Sequence, residues 1–139
     1  MEVISGNHSV DDRGTLTFFN DFEFKDVKRF YVVSNHQKGF VRAWHGHRKE
    51  AKYVYVVKGA IILGVVPLEY GDDVFMDRTV LSDKNPQIYK IPAGYANGFK
   101  TLTDDTQIIF FSTATLDESR GDDIRFPAKE WDIWNVEER

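Results

Sequence analysis

Residues 51–66, AKYVYVVKGAIILGVV, hold two runs of β-branched and aromatic residues that meet at Gly59. Such residues favour a pleated, half-buried surface, so AKYVYVVKG (51–59) and AIILGVV (60–66) both read as strands. Gly59 divides them as a tight turn or bulge would, at a position that needs φ > 0. Working outward, TLTFF (15–19), KRFYVVS (28–34), QIYKI (87–91) and TQIIFFSTA (106–114) have the same character. The segments between them, DDRG, NHQKG, LEYGDD, SDKNP, PAGYANG and LTDD, are rich in turn formers. No helical period shows before residue 115. The reading is one all-β domain spanning residues 1–139, a sandwich or barrel. Its last segment, PAKEWDIWNVEER (127–139), is expected to be a short helix or a tail strapped across the surface.

Composition narrows the classes of function. A net charge of −4 offers no general basic face for nucleic acid. The chain has no cysteine, which removes disulfides, thiolate nucleophiles and thiolate metal sites. Its longest apolar run, AIILGVVPL (60–68), is too short to span a bilayer. The N-terminus lacks the basic-then-apolar pattern of a secretory signal, so a cytoplasmic location is expected. Aromatic residues, at 14%, exceed the usual share; most are expected in a β core and a few in a cleft.

The chemistry concentrates at RAWHGHRKE (42–50). On an extended chain alternate side chains share a face. His45 and His47 would then look one way together with Ala43, while Trp44 and Gly46 look the other. Continuing the same count along an unbroken strand adds Tyr53 and Tyr55 to the histidine face and turns Glu50 away from it. Two imidazoles on one face suit a metal, proton transfer or a satisfied barrel lining.

An HxH pair entering a strand of a small β-barrel resembles the cupin fold, whose metal-binding members add a glutamate and a third histidine. Here Glu50 falls at the wrong spacing, and Asn97 stands where Pro92-Ala-Gly94-Tyr-Ala-Asn97 would place that third histidine. The resemblance therefore implies a cupin jelly roll without its metal. A closer likeness runs from Asp11 to about Trp134. Asp11-Asp12-Arg13-Gly14, Arg42-Ala43-Trp44-His45 and Pro92-Ala-Gly94-Tyr-Ala-Asn97-Gly98-Phe99 resemble motifs of the cupin enzymes that act on nucleotide-linked 4-keto-6-deoxy sugars. These are the dTDP-4-dehydrorhamnose 3,5-epimerases and the dTDP-sugar 3,4-ketoisomerases. The stretch from Arg29-Phe30-Tyr31 to Gly59 looks like a ketoisomerase, and the later part like an epimerase.

The resemblance implies proton abstraction next to a ketone, with no cofactor, in a homodimer. It puts His45 as the base, and His47, Tyr31, Tyr53 or Tyr55 as the proton donor. Arg13 and Arg42 are implied as pyrophosphate contacts, and Lys52 or Asn97 as the group that holds the enolate oxygen. Two departures stand out: the epimerases' tyrosine acid falls at about Phe110, and their second histidine at Asn97. Two further classes of function stay open: a non-catalytic sugar-nucleotide binder and a metal-dependent cupin oxygenase.

Overall fold

The computed structural model describes residues 2–69 and 76–139, which puts part of the expected LEYGDD turn outside the described residues. Among the described residues twelve strands follow one another: β1 (Val3–Ser5), β2 (Asn7–Asp11), β3 (Gly14–Phe18), β4 (Arg29–Asn35), β5 (Val41–His47), β6 (Lys52–Lys58), β7 (Ala60–Pro67), β8 (Asp77–Ser82), β9 (Gln87–Ile91), β10 (Tyr95–Thr101), β11 (Thr106–Ser112) and β12 (Ile124–Arg125). One helical turn, α1 (Leu116–Arg120), interrupts them after β11. All pairings between named strands are antiparallel. One sheet has the order β1-β9-β6-β11-β4, the other β12-β5-β10-β7-β8, and β2-β3 forms a separate hairpin. This is the all-β, jelly-roll type of architecture that the cupin resemblance implied.

The main core lies between the two five-stranded sheets. Val54 and Val56 from β6, Ile61, Leu63 and Val65 from β7, and Ile108 and Phe110 from β11 meet there. A second cluster covers the opposite face of the β5-β10-β7 sheet, where Trp44, Ile62, Val66 and Ala96 pack under Trp134 of the C-terminal tail. Strand β7 thus buries both faces, which explains why AIILGVV reads as a continuous apolar run and does not alternate. The expected tail is observed: residues 127–139 cross the surface without a helix, and α1 precedes them. Thr115 and Glu118 close a capping box on α1.

Three expectations need correction. Gly59 does take a positive φ of 90°, yet it does not turn a strand back on its neighbour. It carries the chain from β6 in one sheet to β7 in the other. PAGYANG is not only a turn, because Tyr95–Thr101 is strand β10, paired with both β5 and β7. Its glycine serves close approach: a Cβ on Gly98 would lie 2.4 Å from that of Ala43. Finally, β5 and β6 are separate strands in opposite sheets, so the alternation counted from His45 does not carry across residues 48–51.

Candidate active site

A cavity of about 190 Å³ opens between the two sheets. Tyr31 of β4, Arg42 and His45 of β5, Lys52 of β6, Asn97 of β10 and Phe110 of β11 line it. A second hollow, of about 280 Å³, shares Tyr31, His45 and Lys52 and adds His47, Arg120 and Asp123. A larger groove of about 520 Å³ runs under the C-terminal tail beside Arg78 and Val80, but no histidine or tyrosine lines it among the described residues. Chemistry, not size, therefore selects the first two. As expected, Trp44 and Gly46 face away from the histidines, but Ala43 does not join the histidine face: it packs against the same outer cluster as Trp44. Trp44 enters the second core cluster, and a Cβ on Gly46 would lie 2.7 Å from Leu68.

Burial, and then the nearby positive charges of Lys52 and Arg125, hold the His45 pKa below its ordinary value. The ring is thus neutral near pH 7 and free to take a proton. Its main-chain carbonyl accepts a hydrogen bond of 3.2 Å from the Asn97 amide, which ties the amide of β10 to β5. Lys52 is 8% exposed and forms no ion pair or hydrogen bond among the described residues. Its ammonium instead lies 5.8 Å from the Tyr31 ring centre and 5.9 Å from that of Phe110. Those two rings are stacked, with centres 5.2 Å apart. With no carboxylate paired to it among the described residues, this ammonium is left to meet a negative charge that enters the cavity.

His47 is placed on the same side, but Glu50 does not turn away from it. Strand β5 stops at His47, and residues 48–50 fold back so that the Glu50 carboxylate lies 3.2 Å from the His47 Nδ1. The backbone N–H groups of Arg48, Lys49 and Glu50 all donate to Asp122, at 2.8–2.9 Å. Burial works against the charge of Asp122, yet these three donors keep its pKa below the usual carboxylate value. Local alternation is blind to such a loop, and Asp122 carries no sequence signal that ties it to residues 48–50.

Three expected residues are elsewhere. Tyr53 and Tyr55 point to the outer face of their sheet, where Tyr53 packs edge-on to Phe22 and Tyr55 edge-on to Phe19. The break between β5 and β6 resets the alternation, so Lys52, Val54 and Val56 take the inner face. Arg13 sits on the β2-β3 turn, exposed and paired with Asp11, beside a depression separate from the cleft. Tyr31, Arg42, Lys52 and Asn97 line one cavity with His45. A metal finds only two imidazoles here. All four contacts of the Glu50 oxygens are taken by protein groups, and no three His, Asp or Glu side chains converge among the described residues.

The buried histidines predict a pH dependence of stability. Burial lowers the pKa of His47, first through desolvation and then through Lys52. The unfolded chain binds a proton near pH 6.5 that the folded ring accepts only at lower pH. Stability is therefore complete above about pH 6.5 and falls as pH drops through the folded value. His47 accounts for at most about 1.4 kcal/mol per pH unit in that window. Urea midpoints between pH 7.5 and 5.5 are expected to fall, and the fall is expected to shrink in a His47→Gln variant.

A family profile described as dTDP-4-dehydrorhamnose 3,5-epimerase matches residues 2–137. The dTDP-4-dehydrorhamnose 3,5-epimerase of Methanothermobacter thermautotrophicus is 30% identical over 113 residues, covering 74% of this chain and 61% of that protein. The probable low-salt glycan biosynthesis epimerase Agl13 of Haloferax volcanii is 26% identical over 136 residues, covering 91% of this chain and 86% of that one. Among solved structures, the 3,5-epimerase of Legionella pneumophila in complex with dTDP-4-keto-L-rhamnose shares the fold. It has a TM-score of 0.78 at 21% identity, covering 99% of this chain and 79% of that one. With a match over nearly its whole length, this chain belongs to the dTDP-4-dehydrorhamnose 3,5-epimerase family of sugar-nucleotide isomerases.

Proposed function

We propose that this chain acts, without a cofactor, as an epimerase or isomerase of a nucleotide-diphospho-4-keto-6-deoxy sugar. The observation that carries the proposal is the pairing of a neutral His45 with the unpaired, buried Lys52 in one cavity. A hydrogen on the carbon beside a ketone becomes acidic because the charge left behind moves onto the ketone oxygen. His45 takes that proton, and the Lys52 ammonium stabilises the resulting oxyanion. Tyr31 supplies a hydroxyl in the cavity where Phe110 cannot, and it returns a proton to carbon. Arg42, at the rim, suits a phosphate oxygen as a planar two-pronged donor.

A homodimer is part of the same reading. Phe30 and Val32, on the outer face of edge strand β4, are 65% and 54% exposed, an apolar surface that a second copy would cover. Arg13, on the exposed β2-β3 turn, would then reach the cleft of the second copy.

Incubation with dTDP-4-keto-6-deoxyglucose in deuterated water tests the function. Deuterium is expected at carbon 3, carbon 5 or both. Its position, with the stereochemistry of the product, separates 3,5-epimerisation from 3,4-ketoisomerisation. Binding of several such sugars with no deuterium in any would leave a non-catalytic binder as the better account.

A further inference from the structure

We propose that Glu50 is a positioning residue that holds His47 as a second proton acceptor, with its Nε2 presented to the cleft. The inference rests on the isomerase reading for its catalytic meaning, and on geometry alone for the pair itself. Glu50 is 3% exposed and ties together four segments. One oxygen, Oε1, accepts from Ser112 of β11 at 2.5 Å and from Arg29 of β4 at 3.3 Å. The other, Oε2, accepts from Ser119 of α1 at 3.0 Å and lies 3.2 Å from the His47 Nδ1. The same Nδ1 lies 2.9 Å from the main-chain carbonyl of Asp122.

A carbonyl oxygen has no hydrogen to give, and neither has a carboxylate. Two acceptors on one ring nitrogen require that nitrogen to carry the proton. In the neutral ring the lone pair is then on Nε2. That atom is buried and has no hydrogen-bond partner, while the ring lines the hollow shared with His45, Lys52 and Tyr31. A buried acceptor without a partner is costly and rare, and a site that expects a donor explains it. When a substrate O–H or C–H gives its proton to Nε2, an N–H bond forms and the electron pair stays on the substrate. The imidazolium so produced has its Nδ1–H held by Asp122 and its charge faced by Glu50. This arrangement was hidden from sequence because residues 48–50 leave the strand.

The charged groups around the ring are Lys52 from β6, His45 beside it on β5, and Glu50 and Asp122 from the two loops. Arg29, Arg120, Asp123 and Arg125 stand around the mouth. Against that background the carboxylate favours the imidazolium, and Glu50→Gln removes this influence without changing the side chain's size.

The experiment follows the histidine ring nitrogens of the full chain by long-range proton–nitrogen NMR across pH, in the wild type, Glu50→Gln and Ser119→Ala. The wild type is expected to carry the His47 proton on Nδ1 near pH 7.5. Glu50→Gln is expected to lower the titration midpoint of His47. Ser119→Ala takes a competing donor from Oε2, leaves more of the carboxylate's charge for the ring, and is expected to raise the midpoint. That opposite shift decides the matter if Glu50→Gln does not fold. In turnover, Glu50→Gln is expected to lower kcat about 10- to 100-fold with KM nearly unchanged. A wild-type proton on Nε2, or a midpoint unmoved in both variants, would overturn the pairing. A shifted midpoint with wild-type kcat would overturn its catalytic use. Absence of exchange by the wild type on every 4-keto sugar would instead defeat the proposed function, while the ring titration still judges the pair.

Discussion

His45→Gln is expected to lower turnover and deuterium incorporation about 10²- to 10⁴-fold, the usual contribution of a positioned general base. That range corresponds to about 2.7–5.4 kcal/mol of barrier. The size follows from what surrounds the ring. Burial, and then Lys52 and Arg125, keep it neutral at working pH, so it is ready to accept, and Lys52 is in the same cavity to hold the charge that appears. Glutamine keeps much of the volume and the polarity at a position that is only partly buried, so the fold is expected to survive. The loss should therefore appear in kcat far more than in KM, with the urea midpoint near that of the wild type. Turnover within about tenfold of wild type, with the substrate still bound, would mean that another group removes the proton. His47 is the nearest alternative, being on the same face of β5 with a free Nε2.

Where the sequence was informative, local patterns were enough. AIILGVV reads as a strand buried on both sides because its residues meet the main core with one face and the tail's tryptophans with the other. His45 and His47 share a face because β5 keeps one register against β10 from His45 to His47, whereas the register shifts between Arg42 and His45 and brings Arg42 into the same cavity. Where the reading went wrong, the chain changes sheet or leaves the strand. Counting on from His47 to Tyr53 assumes one strand, but four residues of loop separate β5 from β6, and the tyrosines emerge on the outside. The same count turns Glu50 away from His47, although the loop brings its carboxylate to the His47 Nδ1. The start of strand β10 reads as a turn because Gly94, Asn97 and Gly98 are turn formers. Gly98 is instead needed for the close packing of Ala43. The Asp122 clamp joins residues more than 70 positions apart, a separation that no short pattern encodes.

Trp44→Ala is expected to cost about 3–5 kcal/mol, a large share of the 5–15 kcal/mol that holds a typical domain folded. Trp44 is 1% exposed and is the centre of the outer core cluster. Its ring packs edge-on to Trp131, at 5.3 Å between centres, and obliquely to Trp134, at 5.1 Å. It also lies over Gly64, where a Cβ would come within 2.6 Å of the indole, so the strand beneath has been left bare to receive it. The indole N–H donates to the Ala128 carbonyl at 3.3 Å, and the backbone of Trp44 exchanges two hydrogen bonds with Phe126. Alanine would remove the surface on which Trp131 and Trp134 rest and would leave a cavity beneath the tail that the sheet cannot close, because β7 and β10 are fixed by their ladder. The urea midpoint should fall sharply, and hydrogen exchange should rise first along residues 126–136. Trp44→Phe should recover part of the loss, since a smaller ring still fills much of the space. A loss below about 1 kcal/mol would show that the tail is held without this ring. The consequence reaches the cleft, because Trp44 is the residue before His45 and its bonds to Phe126 help to set where β5 lies. A loosened tail should therefore reduce turnover even in the fraction of molecules that stay folded.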